Sequence, residues 1–206
     1  MDIAQMLKEK REIKRRKKLY KELVKQYPWL KPRNVWTDKV DEDYDYSWMW
    51  IEPDEDGWQK AFFYYLMEDM KKELEEKDFV EQFRINEYKS KYGTMRLYGN
   101  AYLKSVNDYE YMSDNICEVC GRPDVGSTSG WITPICRTCF EKHYYDTRQY
   151  EEAVNQERSR IPDTYSIRHY DADGEWIEKR DIKAKANKIR YKWNHEHPED
   201  PVMIEG

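Results

Sequence analysis

The chain has 206 residues, of which 37% are charged and 39% hydrophobic, and its formal net charge is −5. Such a balance excludes a thick aliphatic core, so the 18 Tyr, 8 Trp and 5 Phe must supply the buried area, the Tyr and Trp with a polar handle at the rim. The longest apolar run, Ala61 to Met67, is far short of the roughly 20 residues that cross a bilayer, and the first residues lack the basic and apolar regions of an export signal; a soluble protein in the cytoplasm of a bacterial host, without membrane contact, is the expectation.

Residues 2–27 predict a helix, with Ile3, Met6, Ile13, Tyr20, Leu23, Val24 and Tyr27 roughly along one face, and Pro28 ends it. Residues 1–33 carry 12 Lys/Arg against 4 Asp/Glu, a net +8, and residues 34–57 carry 1 Lys against 9 acids, a net −8. Two adjacent blocks of opposite sign either attract each other within the fold or each address a separate partner. The run Lys14, Arg15, Arg16, Lys17, Lys18 has a plain reading as the solvated face of a surface helix, and a second one as a nucleic-acid contact.

The acidic segment predicts a loop with a short strand over Ser47–Ile51, in which Tyr44, Tyr46, Trp48 and Trp50 fall on alternate positions. Those four aromatics either anchor a partner protein or fill this chain's own core. Residues 58–76 return to helical period, with Trp58, Phe62, Tyr65, Leu66, Met70 and Leu74 on a core-facing stripe. A hairpin turning at Gly93 is expected from Phe83, Ile85, Met95 and Leu97, followed by a short helix over Tyr102–Tyr111. Helical spacing then recurs over residues 137–160, and Pro162 stops it. Tyr165–Tyr170 pairs with Glu175–Lys179 across Asp171-Ala172-Asp173-Gly174, a basic helix follows over Ile182–Trp193, and the charged, proline-broken stretch His195–Pro201 reads as a mobile end.

Cys117-Glu118-Val119-Cys120 and Cys136-Arg137-Thr138-Cys139 are two C-x2-C pairs separated by 15 residues, a spacing expected of a four-thiolate zinc site. Two intervening residues let one tight turn aim both sulfurs at the same ion, and Gly121 supplies the permissive backbone just past the second ligand. Four cysteines leave no open coordination position, so one zinc ion per chain in a structural role is expected, as in a treble clef or a ribbon; disulfides are disfavoured in a reducing compartment. His143 is a further candidate beside the site. The expected class is α+β: a basic helix over 1–33, an acidic and aromatic segment with helix and hairpin over 34–112, a zinc module over 113–161, and a hairpin, basic helix and tail over 162–206.

Lys89, Lys91, Tyr92, Gly93, Met95, Arg96 and Tyr98, then Ser113, Cys117, Cys120, Gly121, Pro123 and Gly130-Trp131-Ile132 before the second cysteine pair, resemble a group of small uncharacterised proteins of tailed phages and prophages. Those proteins carry an aromatic-Gly hairpin before a C-x2-C-G-x-P zinc knuckle. The similarity covers roughly residues 81–145; Thr94 stands where a second Gly is common, and Cys139 where His is often found. The resemblance implies a phage or prophage origin and no particular activity.

Three classes of function follow. The first is a non-enzymatic accessory protein that docks on a host or phage protein through the acidic aromatic segment, an inhibitor of a host system being one form. The second is nucleic-acid binding through residues 8–18 or Lys183–Lys192, against which stands the acidic total. The third is a metal-dependent nuclease, yet residues 121–135 hold no histidine to serve a metal nuclease, and the pattern Asp163, Asp181, Lys183 arises readily by chance in so charged a chain. No phosphate-cradling glycine loop or nucleophile elbow is present.

Overall fold

The computed structural model describes residues 3–34, 36–40, 43–128, 131–143, 160–171 and 174–204. Among these the chain forms α1 (Ile3–Gln26), a 3-10 turn at Pro28–Leu30, α2 (Gly57–Glu76), β1 (Ile85–Lys91), β2 (Thr94–Gly99), α3 (Lys104–Ser113), α4 (Arg137–His143), β3 (Thr164–Asp171), β4 (Gly174–Asp181) and α5 (Lys183–Glu196). This is the expected α+β class, with two separate antiparallel hairpins, β1–β2 and β3–β4.

α2 is the centre of the fold. Asp56 caps it, its Oδ1 accepting from the Gln59 amide at 2.8 Å and its Oδ2 from the Tyr88 hydroxyl at 2.6 Å. Trp58, Phe62, Leu66, Met70 and Leu74 are buried as the stripe predicts, and Ala61, Phe63 and Met67 widen it. The helix packs on α3 and α5, with Phe62 and Tyr109 rings 5.1 Å apart. Around it the core draws on Tyr20, Leu23, Tyr27, Trp29 and Leu30 from one end of the chain and Ile182, Ala186 and Ile189 from the other.

The β1–β2 hairpin turns at Tyr92-Gly93, both with positive φ (53° and 73°), as a two-residue loop matched to strand twist requires. Lys91 faces Thr94 in its register. In the second hairpin Asp171 faces Gly174, and its turn residues 172–173 lie outside the described residues.

Beneath α2 and α3 lies a polar network. The fully buried Asp108 accepts two hydrogen bonds from Arg180 (3.0 and 2.8 Å) and one from the Tyr165 hydroxyl (2.8 Å), and Lys185 stands 3.0 Å away. A buried carboxylate without such partners would be strongly destabilising. Arg180 is in turn held more firmly protonated by Asp108.

Three expectations need correction, and a fourth can be followed only in part. Ser47–Ile51 form no strand; the chain bends at residues 46, 47, 50 and 51, with Tyr46 at φ 61°, and among the described residues no strand pairs with it. The short helix predicted to begin at Tyr102 begins at Lys104 and runs on to Ser113. The predicted helix over 137–160 is described only as far as His143, and residues 144–159 lie outside the described residues.

Last, the stretch His195–Pro201 is held. His195 and Glu196 belong to α5, the Trp193 indole N–H donates to Asp200 O at 2.8 Å, and Asn194 exchanges hydrogen bonds with Val202. His197 stacks on Trp193 at 3.7 Å. The Asp200 carboxylate also accepts from Arg122 at 2.9 Å.

Candidate metal centre

Cys117, Cys120, Cys136 and Cys139 converge, with their four Sγ atoms all within 4.8 Å of one another. Cys120 and Cys136 Sγ are 3.6 Å apart. A tetrahedral four-thiolate zinc site with Zn–S of about 2.3 Å places its sulfurs about 3.8 Å apart, so the donor set, number and spacing fit that ion. The four cysteines are free thiols, three buried and Cys120 half-buried.

Local backbone bonds build each half. The Cys117 amide donates to Arg122 O (2.8 Å) and the Gly121 amide to Cys117 O (2.9 Å), closing the first knuckle, with Gly121 at φ 88°. The Ile116–Pro123 bridge closes the knuckle, the Ser127–Pro134 bridge makes a minimal hairpin between the cysteine pairs, and the Glu118 amide donates to Pro134 O from one to the other. Cys136 then precedes α4 and Cys139 lies in its first turn, Phe140 N donating to Cys136 O at 2.9 Å. Knuckle, hairpin, helix is the order of a treble clef. Val125, Ile135 and Phe140 give the centre a small core of its own.

Sharing of protons among the sulfurs splits their acidities. Hydrogen bonds from the thiols of Cys120, Cys136 and Cys139 hold Cys117 far below the usual thiol range, while the Cys117 sulfur pushes Cys120 and Cys139 up. A cation held by the four sulfurs would take the place of those shared protons, as metal binding to thiols does in general.

The centre is joined to the main core by a contact between two glycines. A Cβ on Gly57 would lie 2.0 Å from Cys117 O and 2.6 Å from Gly121 N, and one on Gly121 would lie 2.6 Å from Gly57 O. The Gly57 amide donates to Glu118 O (2.7 Å), Lys60 Nζ to Val119 O (3.2 Å), and the Trp58 indole N–H to Ser113 O and Ile116 O. From the other side Arg190, 2% exposed, makes a two-pronged bond to Asp124 (2.9 and 2.8 Å). Gly57, Asp124 and Arg190 are thus parts of the centre's support that the sequence reading did not single out. A glycine immediately before the predicted helix over 58–76 was the one available signal, since glycine at a helix end allows a close approach of another backbone. His143 ends α4 on the surface, outside the cysteine cluster.

The other predicted residues lie elsewhere. Tyr46 and Trp50 pack partly buried against the core, Trp50 between the buried Met49 and Ile51, and Tyr44 lies tilted against Tyr46 with ring centroids 4.9 Å apart and donates to Trp48 O. Trp48 is 46% exposed and Trp36 92%. Both line an open groove of about 820 Å³ over residues 32–50, whose walls also carry Arg33, Lys39, Asp43 and Asp45. Of the basic run, Lys17 bonds Asp45 and Arg15 bonds Glu12 at 2.7 Å, with Lys14, Arg16 and Lys18 exposed. The oppositely charged blocks therefore meet within the fold, at Lys17–Asp45 and beside Tyr20, which donates to Glu52. Asp163, Asp181 and Lys183 gather at the open end of the β3–β4 hairpin, with Lys183 Nζ 3.8 Å from Asp163.

No family model, curated protein or solved structure matches the chain. Among the described residues no helix is long and apolar enough to cross a membrane.

Proposed function

We propose that this is a non-enzymatic accessory protein of phage or prophage origin, built around one structural zinc ion, that acts by binding a host or phage protein. The observation that carries the reading is the open groove over residues 32–50, where Trp36 and Trp48 stand exposed among charged residues. Exposed tryptophans ringed by polar groups are the residue type that anchors protein interfaces. The four-cysteine set supports a structural rather than a catalytic metal, because four thiolates leave no position for water or substrate. The phage origin rests on the resemblance over residues 81–145.

The test is retention of proteins from a nuclease-treated bacterial lysate by the tagged chain, compared with a Trp36→Ala, Trp48→Ala double variant. The double variant is expected to release the retained protein, with metal content and melting temperature held. Equal retention by both forms rejects the groove as the docking surface.

A further inference from the structure

α1 does two different things along its length. From Tyr20 onward it is anchored by Tyr20, Leu23 and Tyr27 in the core, whereas every residue from Ala4 to Arg16 is exposed. At 1.5 Å per residue that exposed part is about 20 Å long. It is an arm, not the solvated face of a helix lying on a surface.

The arm is strongly basic. Residues 8–18 carry 8 Lys/Arg against Glu9 and Glu12 alone, a net +6. Lys10 with Lys14, Arg11 with Arg15 and Lys14 with Lys18 are like charges one turn apart, a spacing that weakens an isolated helix. Anions bound beside the helix relieve that repulsion, as dissolved salt does less strongly, and within the chain the Asp45 and Glu12 carboxylates relieve it at Lys17 and Arg15. Taking about 100° per residue, Lys8, Lys10, Arg11, Lys14 and Lys18 spread over an arc of about 160°, opposite the line of Met6 and Ile13. A flat acidic protein surface meets one side of a helix. A groove walled by anions on both sides meets such an arc.

We infer that the α1 arm is a binding element for duplex DNA, lying in the major groove with its basic arc against the phosphates of both walls. That groove, about 12 Å wide, admits an α-helix, whereas the major groove of A-form RNA is too deep and narrow. The acidic segment at the root of the arm, with Asp45 on Lys17 and Glu52 on Tyr20, repels phosphate and confines the duplex to the outer part. The assignment is independent of the aromatic groove, so the chain has one surface for each kind of partner.

The experiment titrates the full chain with a duplex of about 20 base pairs from about 50 to 300 mM salt, following anisotropy and far-UV circular dichroism. Five phosphate contacts predict a slope of log affinity against log salt of about −4 to −5, together with a gain in helix as the arm is ordered. Lys10→Gln, Arg11→Gln, Lys14→Gln, Lys18→Gln together should reduce the slope to about −1 and the low-salt affinity by roughly 100-fold or more, with an unchanged melting temperature. Duplex RNA of the same sequence should bind more weakly. Absence of DNA binding at low salt overturns the inference, as does binding that the fourfold variant leaves intact. It is also overturned if helix is gained with anionic vesicles or by self-association in sedimentation, and not with duplex DNA.

Discussion

The cysteine centre and the segment over residues 32–56 are both rich in chemically distinctive side chains, yet they are held in opposite ways. The centre is braced from two sides, by the start of α2 through Gly57 and by α5 through the Arg190–Asp124 pair. The segment is tethered at intervals, by Met49 and Ile51 in the core and by Lys17 and Tyr20 on its acids, leaving Trp36 and Trp48 outside. Convergence of ligands on one point dictates geometry; aromatic content alone does not say which rings are core.

The sharpest break between the two regions comes from the ligands. Purified protein should contain one zinc ion per chain by elemental analysis, and Cys117→Ser or Cys136→Ser should lose both metal and cooperative unfolding, since structural zinc sites contribute about 10–16 kcal/mol, as much as a domain's whole stability. A chain that stays folded after complete chelation would remove the structural role.

A tryptophan contrast tests the second region. Trp58→Ala should destabilise by about 3–5 kcal/mol in denaturant melts, whereas Trp36→Ala with Trp48→Ala should stay within about 1 kcal/mol of the parent. Equal losses would mean that the exposed rings are core after all.

Next in size is Gly121→Ala. It adds overpacking against Gly57 O to an unfavourable positive φ, for an expected loss of about 2–4 kcal/mol. An unchanged melting temperature would show that α2 does not touch the knuckle.

The smallest effect concerns pH. The Lys17 ammonium and the Ser47 contact hold Asp45 at about 2, below its unfolded value. Its contribution to stability is therefore complete above the unfolded pKa and is lost as pH falls through about 2. Lys17→Gln should move the Asp45 titration, followed by NMR, up toward the ordinary carboxylate range; an unmoved titration would dissolve the link between α1 and the acidic segment.

What could be read in advance follows the range of the interaction involved. α2, both hairpins and the cysteine cluster were legible because period, turn residues and ligand spacing are local. The four aromatics at 44, 46, 48 and 50 mimic strand alternation, but the positive φ of Tyr46 breaks the period, and nothing local to Tyr46 announces it. The stretch after α5 has a mobile composition, yet Trp193 and Asn194 bond its backbone and Arg122, far back in the chain, bonds the Asp200 carboxylate, and composition announces none of these contacts. In α1 the apolar line through Met6 and Ile13 continues that of Tyr20 and Tyr27 past the point where the body ends, so periodicity alone could not separate anchor from arm.

The Gly57–Gly121 contact also has a use in recognising relatives. Neither position tolerates a side chain while the other's backbone stays where it is, so the two should vary together across any set of homologous sequences. Asp-Gly-Trp at the head of one helix and Cys-x-x-Cys-Gly far downstream form a split signature whose two halves are joined only by the fold. A sequence that keeps the cysteines but carries a larger residue at either glycine has moved its helix off the knuckle, and belongs to a different architecture.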